Sequence, residues 1–134
     1  MSESGSPPRG TVLLVDDDDG VRRLARRILE RSAYRVIACS SGPEALEAAR
    51  DHDGVIDLML LDVLMPGMTG NQASHHLLEE RPGTPVLCMS GSPEDPAVVY
   101  GMAGNGRDFI PKPFTPAELM AAVDRILSAP AHAG

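Results

Sequence analysis

Four short apolar runs in this chain each end in a polar residue of a different chemical kind. VLLV (12–15) ends at Asp16 and Asp17, LMLL (58–61) at Asp62, VLCM (86–89) at Ser90, and FIP (109–111) at Lys112. A run of four or five apolar residues between polar punctuation predicts a strand buried on both faces, as in parallel sheets. Laid side by side and parallel, such strands share one carboxyl edge. Three carboxylates, a hydroxyl and an ammonium group would converge there, a set suited to a magnesium ion and a phosphoryl group rather than to a core.

The segments between the runs carry the helical period. Val21, Leu24, Ala25, Ile28 and Leu29 give a first helix an apolar stripe. A second strand spans 34–38, and Ser41 with Glu44 forms a capping-box pattern opening a helix that runs to about Arg50. Strand three is expected over 56–61, followed by the turn-forming MPGMTG (65–70) and a helix over 71–80. Strand four covers 86–89. The stretch 93–106 predicts only a short fourth helix, because its glycines each cost about 1 kcal/mol relative to Ala in a helix interior. Strand five covers 108–110. Thr115, Pro116 and Glu118 then combine an N-cap, a first-turn proline and the capping partner of a fifth helix, whose stripe is Leu119, Ala122, Val123, Ile126 and Leu127.

Five strand–helix units predict an α/β, doubly wound, flavodoxin-like fold with right-handed crossovers and a parallel sheet of order 2-1-3-4-5. Ligands of such sheets bind where the strand order reverses, here between strands one and three, which end in Asp16, Asp17 and Asp62. At 134 residues there is room for one core. We expect a domain over 11–128, a flexible tail or linker over 1–10 that is Ser-, Gly- and Pro-rich, and a flexible tail over 129–134. Any output module would lie elsewhere.

A net charge of −7, from 12 Lys and Arg against 19 Asp and Glu, disfavours direct nucleic-acid binding. No apolar stretch approaches the roughly 20 residues that span a bilayer, and the polar start is not a signal peptide. Cys39 and Cys88 sit inside apolar runs without metal-ligand spacing and read as buried reduced thiols, which fits the cytoplasm.

Asp18 and Asp19 are explained as helix-capping carboxylates. Asp16 and Asp17 are not, since they are attached directly to a buried strand and should face Asp62. Three carboxylates that close repel one another, and magnesium, which takes oxygen ligands, is the usual remedy. With VDD at Asp16 and Asp17, LLDVLMPGMTG around Asp62, Ser90 followed by Gly91, and FIPKPF around Lys112, the chain resembles the receiver domain of two-component response regulators, the CheY-like class, over about 115 residues.

The resemblance implies that Asp62 is the nucleophile, taking a phosphoryl group from a phosphohistidine to give an acyl phosphate. It further implies that Asp17 and Asp62 ligate magnesium directly, that Asp16 acts largely through a bound water, and that the backbone carbonyl of Leu64 completes the set. Lys112 would pair with the phosphoryl oxygens, or with Asp62 when unmodified. Ser90 would hydrogen-bond the phosphoryl group, although turn chemistry alone also explains a Ser-Gly-Ser-Pro stretch. Phe109 matches the switch aromatic, often Tyr in the family; without the hydroxyl it reads equally as a core residue. Pro113 matches the family's cis peptide.

The implied partners are a histidine kinase or histidine phosphotransfer domain docking near helix one, and a downstream protein on the face of helix four, strand five and helix five. No nucleic-acid or membrane partner is expected. Arg22, Arg23, Arg26 and Arg27 read either as a solvated helix face or as that docking surface. His75 and His76, about 100° apart on a helix, read as surface residues. The expected activity is that of a self-phosphorylating signalling domain rather than a metabolic enzyme, in a stand-alone regulator or, as the linker-like start suggests, in a hybrid histidine kinase. Two alternatives remain at this point. One is a pseudo-receiver that is never phosphorylated. The other is a haloacid-dehalogenase-like phosphatase, whose D-x-D-G-V pattern is spelled by Asp17, Asp19, Gly20 and Val21, but which would need a further acidic pair ending a strand, whereas Glu118 and Asp124 fall on a helix.

Overall fold

A computed structural model describes residues 8–62, 70–91 and 108–128. Its elements are β1 (Gly10–Val15), α1 (Asp19–Arg31), β2 (Tyr34–Cys39), α2 (Gly42–Asp51), β3 (Leu58–Asp62), α3 (Gly70–Glu80), β4 (Val86–Ser90), β5 (Asp108–Pro111) and α4 (Pro116–Ser128). The five strands are parallel in the order β2-β1-β3-β4-β5. Four helices accompany them among the described residues, where five units were expected. The segment 93–106, which carries the expected fourth helix, lies outside those residues, and α4 is the helix predicted as the fifth.

Because side chains alternate across a strand, the sheet divides its apolar residues between two layers. Val12, Leu14, Leu58, Leu60, Leu87 and Met89 pack against Ala25, Ile28 and Leu29 of α1 and Leu119, Val123 and Ile126 of α4. On the other face Leu13, Val15, Met59, Leu61, Val86 and Cys88 meet Ala45 and Ala49 of α2 and Ala73 and Leu77 of α3. Three of the four apolar runs are therefore central strands covered on both sides, β1, β3 and β4, and the fourth lies in β5 at the edge of the sheet. Leu24, predicted in the α1 stripe, is instead 42% exposed.

Capping sets the helix starts. Asp18 is the N-cap of α1, its Oδ1 accepting from the amides of Gly20 at 2.8 Å and Val21 at 3.1 Å. Asp19 does not cap; its carboxylate pairs with Arg22. At α2 the Ser41 hydroxyl accepts from the Glu44 amide at 3.2 Å, but the Glu44 carboxylate returns to the amide and hydroxyl of Ser40, one residue earlier than the standard box. At α4 the box is reciprocal: Thr115 N–H donates to Glu118 at 2.8 Å and Glu118 N–H to Thr115 Oγ1 at 3.1 Å.

Side chains also displace the strand starts. Asp57 accepts from the Thr11 amide at 2.7 Å and donates its own N–H to the Thr11 carbonyl at 2.8 Å. This clasp holds 56–57 out of the β3 ladder, so the strand begins at Leu58 rather than Ile56. Pairing with Tyr34 of β2 extends β1 back to Gly10, where a Cβ would sit 2.9 Å from Asp57 Oδ2. Arg9 precedes it, hydrogen-bonded to the Ala33 carbonyl at 2.8 Å, stacked over Tyr34 at 4.8 Å and paired with Asp124 at 3.3 Å. At the same end of the sheet, Arg81 donates to the carbonyls of Ala49, His52 and Gly54, fastening the end of α2 and the approach to β3.

Candidate functional site

Strand register assembles the carboxyl edge. Val15 pairs with Leu61, so the next residues, Asp16 and Asp62, leave adjacent strands at the same level. Asp62 in turn pairs with Met89, and Ser90 with Pro111. The Lys112 amide continues this ladder by donating to the Ser90 carbonyl at 2.8 Å. The four expected strand-end positions therefore converge, as the apolar runs predicted.

Asp16, Asp17 and Asp62 each offer a carboxylate oxygen within 4.8 Å of the others. Asp16 is wholly buried, Asp62 nearly so, and Asp17 exposed. Lys112 Nζ lies 2.9 Å from Asp16 Oδ2 and 3.2 Å from Asp62 Oδ1, so it pairs with both carboxylates rather than with Asp62 alone. Ser90 is buried at the end of β4 beside them. The Lys112–Pro113 peptide is cis. Leu64, the expected carbonyl ligand, lies outside the described residues.

The electrostatics follow from crowding. Burial, and then the charge of Asp16, push the Asp62 carboxyl up from 3.8 to about 6, against the pull of Lys112. Burial acts to lower the Lys112 ammonium, but its contact with Asp16 and the charges of Asp62 and Asp16 outweigh this and raise it. Asp18, beside the cluster, is lowered, chiefly by its bond from the Val21 amide.

The donor set fits a hard divalent cation. Asp16 Oδ2 is buried and, although in ionic contact with Lys112, meets no aligned hydrogen-bond donor among the described residues. Among the described residues the three clustered carboxylates are in ionic contact with one ammonium, so carboxylate charge exceeds it when all are ionised. All the oxygens are carboxylate oxygens, the chemistry magnesium prefers over softer metals.

The other candidates separate cleanly. Phe109 is half-buried and packs against the core layer of Val86 and Cys88. His75 and His76 are exposed on α3, His76 Nδ1 lying 3.5 Å from Glu79. Cys39 and Cys88 are buried free thiols, and burial pushes the Cys39 thiol up to about 11. Glu118 caps α4 and Asp124 pairs with Arg9, so neither supplies the strand-end acidic pair a haloacid-dehalogenase-like site needs. Sequence reasoning grouped Arg22 with its neighbours and missed its reach to the Asp16 carbonyl, 2.9 Å away. The signal available was Asp19 and Arg22 at i,i+3, a spacing that faces the two side chains toward each other.

Comparison with known proteins places these residues in context. A family described as "Response regulator receiver domain" matches residues 12–124. The transcriptional regulatory protein SrrA of Staphylococcus aureus (strain NCTC 8325 / PS 47) is 34% identical over 116 residues, covering 87% of this chain and 47% of the relative. The chain thus spans about half the length of that curated relative. Among solved structures, the Vibrio cholerae chemotaxis protein CheY4 superposes with a TM-score of 0.79 at 28% identity, covering 88% of this chain and 98% of the other. The receiver domain of the hybrid histidine kinase CckA gives 0.75 at 33% identity, covering 88% and 99%.

Proposed function

The chain belongs to the response regulator receiver family, and from that premise we propose that Asp62 accepts a phosphoryl group from a phosphohistidine of a histidine kinase or phosphotransfer protein. The observation that carries this reading is Asp62 itself: a nearly buried carboxylate at the end of β3, 3.2 Å from Lys112 and clustered with Asp16 and Asp17. An Asp62 carboxylate oxygen attacks phosphorus as the phosphorus–nitrogen bond to the donor imidazole breaks. The imidazole leaves with the electron pair and takes a proton, and Asp62 becomes an acyl phosphate.

Nucleophilic attack needs an ionised Asp62, and the charge that grows on the phosphoryl oxygens needs neutralising. Asp16, Asp17, Asp62 and the Leu64 carbonyl would hold magnesium, which when bound supplies part of that neutralisation. Lys112 supplies the rest from the protein. Its ammonium shifts from Asp62 toward the phosphoryl oxygens while Asp16 retains it. Ser90, buried on the neighbouring strand end, donates its hydroxyl to the phosphoryl group. The product adds about two negative charges, and their contacts with Ser90 and Lys112 bias the face of β5 and α4 toward its signalling state. Phe109 reports on that shift from β5. Phosphodonor docking near α1 is supported by the exposed Arg23, Arg26 and Arg27 on a helix adjoining the site.

Incubation with acetyl phosphate, with and without magnesium, followed by intact mass, tests the chemistry. One adduct of about 80 Da (the mass of HPO3), metal-dependent and lost in Asp62→Asn, is expected. An adduct that persists in Asp62→Asn rejects the nucleophile, and no adduct under any condition returns the chain to the unphosphorylated pseudo-receiver reading.

A further inference from the structure

Arg22 differs from the other arginines of α1. Arg23, Arg26 and Arg27 are exposed, whereas the Arg22 side chain keeps only 20% of its surface. Its guanidinium works as a fork. Nη1 donates to the backbone carbonyl of Asp16 at 2.9 Å, and Nη2 pairs with the Asp19 carboxylate. Side chains on a helix lean toward its N-terminus, so a long residue at this position can run back along the first turn to the strand end.

The bonded carbonyl belongs to the peptide that joins Asp16 to Asp17. That unit is planar and rigid, so fixing its carbonyl fixes the direction in which Asp17 leaves the strand. The other side of Asp16 is fixed as well: its N–H donates to the Cys39 carbonyl at 3.1 Å, and its Oδ1 accepts from the Asp18 amide at 2.8 Å. Asp16 is therefore held by the sheet and by burial. Asp17, the exposed member of the carboxylate trio, depends on the orientation of the peptide before it.

We infer that Arg22 is a positioning residue: by bridging the Asp16 carbonyl to Asp19 it aims the Asp17 carboxylate at the divalent-cation position. This rests on the reading of Asp16, Asp17 and Asp62 as the residues that hold the cation. The plainer account is a first-turn ion pair that steadies α1, which predicts a loss of stability with no selective loss of metal affinity. A purely electrostatic account predicts that any cation at position 22 serves. The fork requires arginine, because a lysine ammonium is a point donor and cannot span both acceptors at fixed angles.

The test titrates Mg2+ alone into the wild-type chain and into Arg22→Lys, Arg22→Gln and Asp19→Asn by calorimetry, with the Asp16 carbonyl carbon and Asp17 amide followed by NMR in the metal-free proteins. Outer-shell partners of metal ligands typically contribute 10- to 100-fold in affinity. Arg22→Lys and Arg22→Gln should each weaken Mg2+ binding by about tenfold or more and move both resonances; Asp19→Asn, which frees one arm of the fork, should weaken it by less. Affinity within about twofold of wild type in both Arg22 variants overturns the inference, as does full restoration by Arg22→Lys alone. If Arg22→Gln does not fold, Arg22→Lys and Asp19→Asn decide it by the same thresholds. A wild-type chain that binds no Mg2+ would instead overturn the underlying reading of the three aspartates, an outcome distinct from equal binding by all four proteins.

Discussion

Replacing Asp62 with Asn should stabilise the metal-free protein, and by an amount that grows with pH. The native state holds the Asp62 carboxyl at about 6, against 3.8 for a free aspartate, because burial and the Asp16 charge disfavour its ionised form. Between those values the folded chain binds a proton that the unfolded chain has released. Stability therefore falls as pH rises through the window from about 4 to about 6, the reverse of a salt-bridged aspartate. The gap from 3.8 to about 6, at 1.36 kcal/mol per pH unit and discounted for the screening of a partly solvated carboxylate, amounts to about 2–3 kcal/mol when the titration is complete. Asn resembles the protonated carboxyl in shape and cannot ionise, so the variant escapes this cost. Urea unfolding in chelator-treated buffer at pH 4, 5, 6 and 7 measures it. The advantage of Asp62→Asn over wild type should increase by about 2 kcal/mol across the series, on the order of 5–10 °C in melting temperature for a domain of this size. Titrating groups away from the cluster, such as the lowered Glu44, are common to both proteins and cancel in the comparison. A difference that stays flat with pH, or that turns against Asn as pH rises, would refute the reasoning.

Magnesium at about 100 times its dissociation constant should raise wild-type stability by about 2.7 kcal/mol near neutral pH, and by less at pH 5; thermal melts of wild type and Asp17→Asn compare the effect, which should shrink in the variant. Gly10→Ala should cost about 1–3 kcal/mol, since its Cβ would press on Asp57 Oδ2 at 2.9 Å. Adding Asp57→Ala should make the glycine substitution nearly neutral in a double-mutant cycle. Thr115→Ala should cost about 1 kcal/mol by removing one half of the capping box at α4, seen as a lower urea midpoint at unchanged slope.

The strand-end cluster was legible because its placement rides on a pattern with few solutions. Fully apolar runs separated by helical stripes imply a parallel sheet, and a parallel sheet gathers the residues that follow its strands. Asp16, Asp17, Asp62, Ser90 and Lys112 were found that way, and their convergence needed no contact information. What escaped notice depends on long side chains that reach across elements. Asp57 moved the start of β3 by bonding to Thr11, Arg81 capped carbonyls of another helix, and Arg22 bound a strand end it does not adjoin in sequence. Periodicity carries no trace of such bonds, since each of these residues also suits an exposed surface. Asp19 read as a cap for the same reason: a carboxylate in a first turn is favourable whether it meets an amide or, as here, an arginine three residues on.

The level at which Asp16, Asp62, Ser90 and Lys112 leave their strands is fixed by the ladder, and the ladder by two layers of buried aliphatic residues. A slip of one residue would exchange the side chains of the two buried layers, so the strand-end residues are inherited together with the interior. Arg23, Leu24, Arg26 and Arg27 are exposed on α1 and belong to neither buried layer. After a gene duplication, substitutions at those four positions would leave both buried layers, and with them the strand-end geometry, intact. Within the same helix Arg22 is the exception, a surface-looking position bonded to the strand end at Asp16.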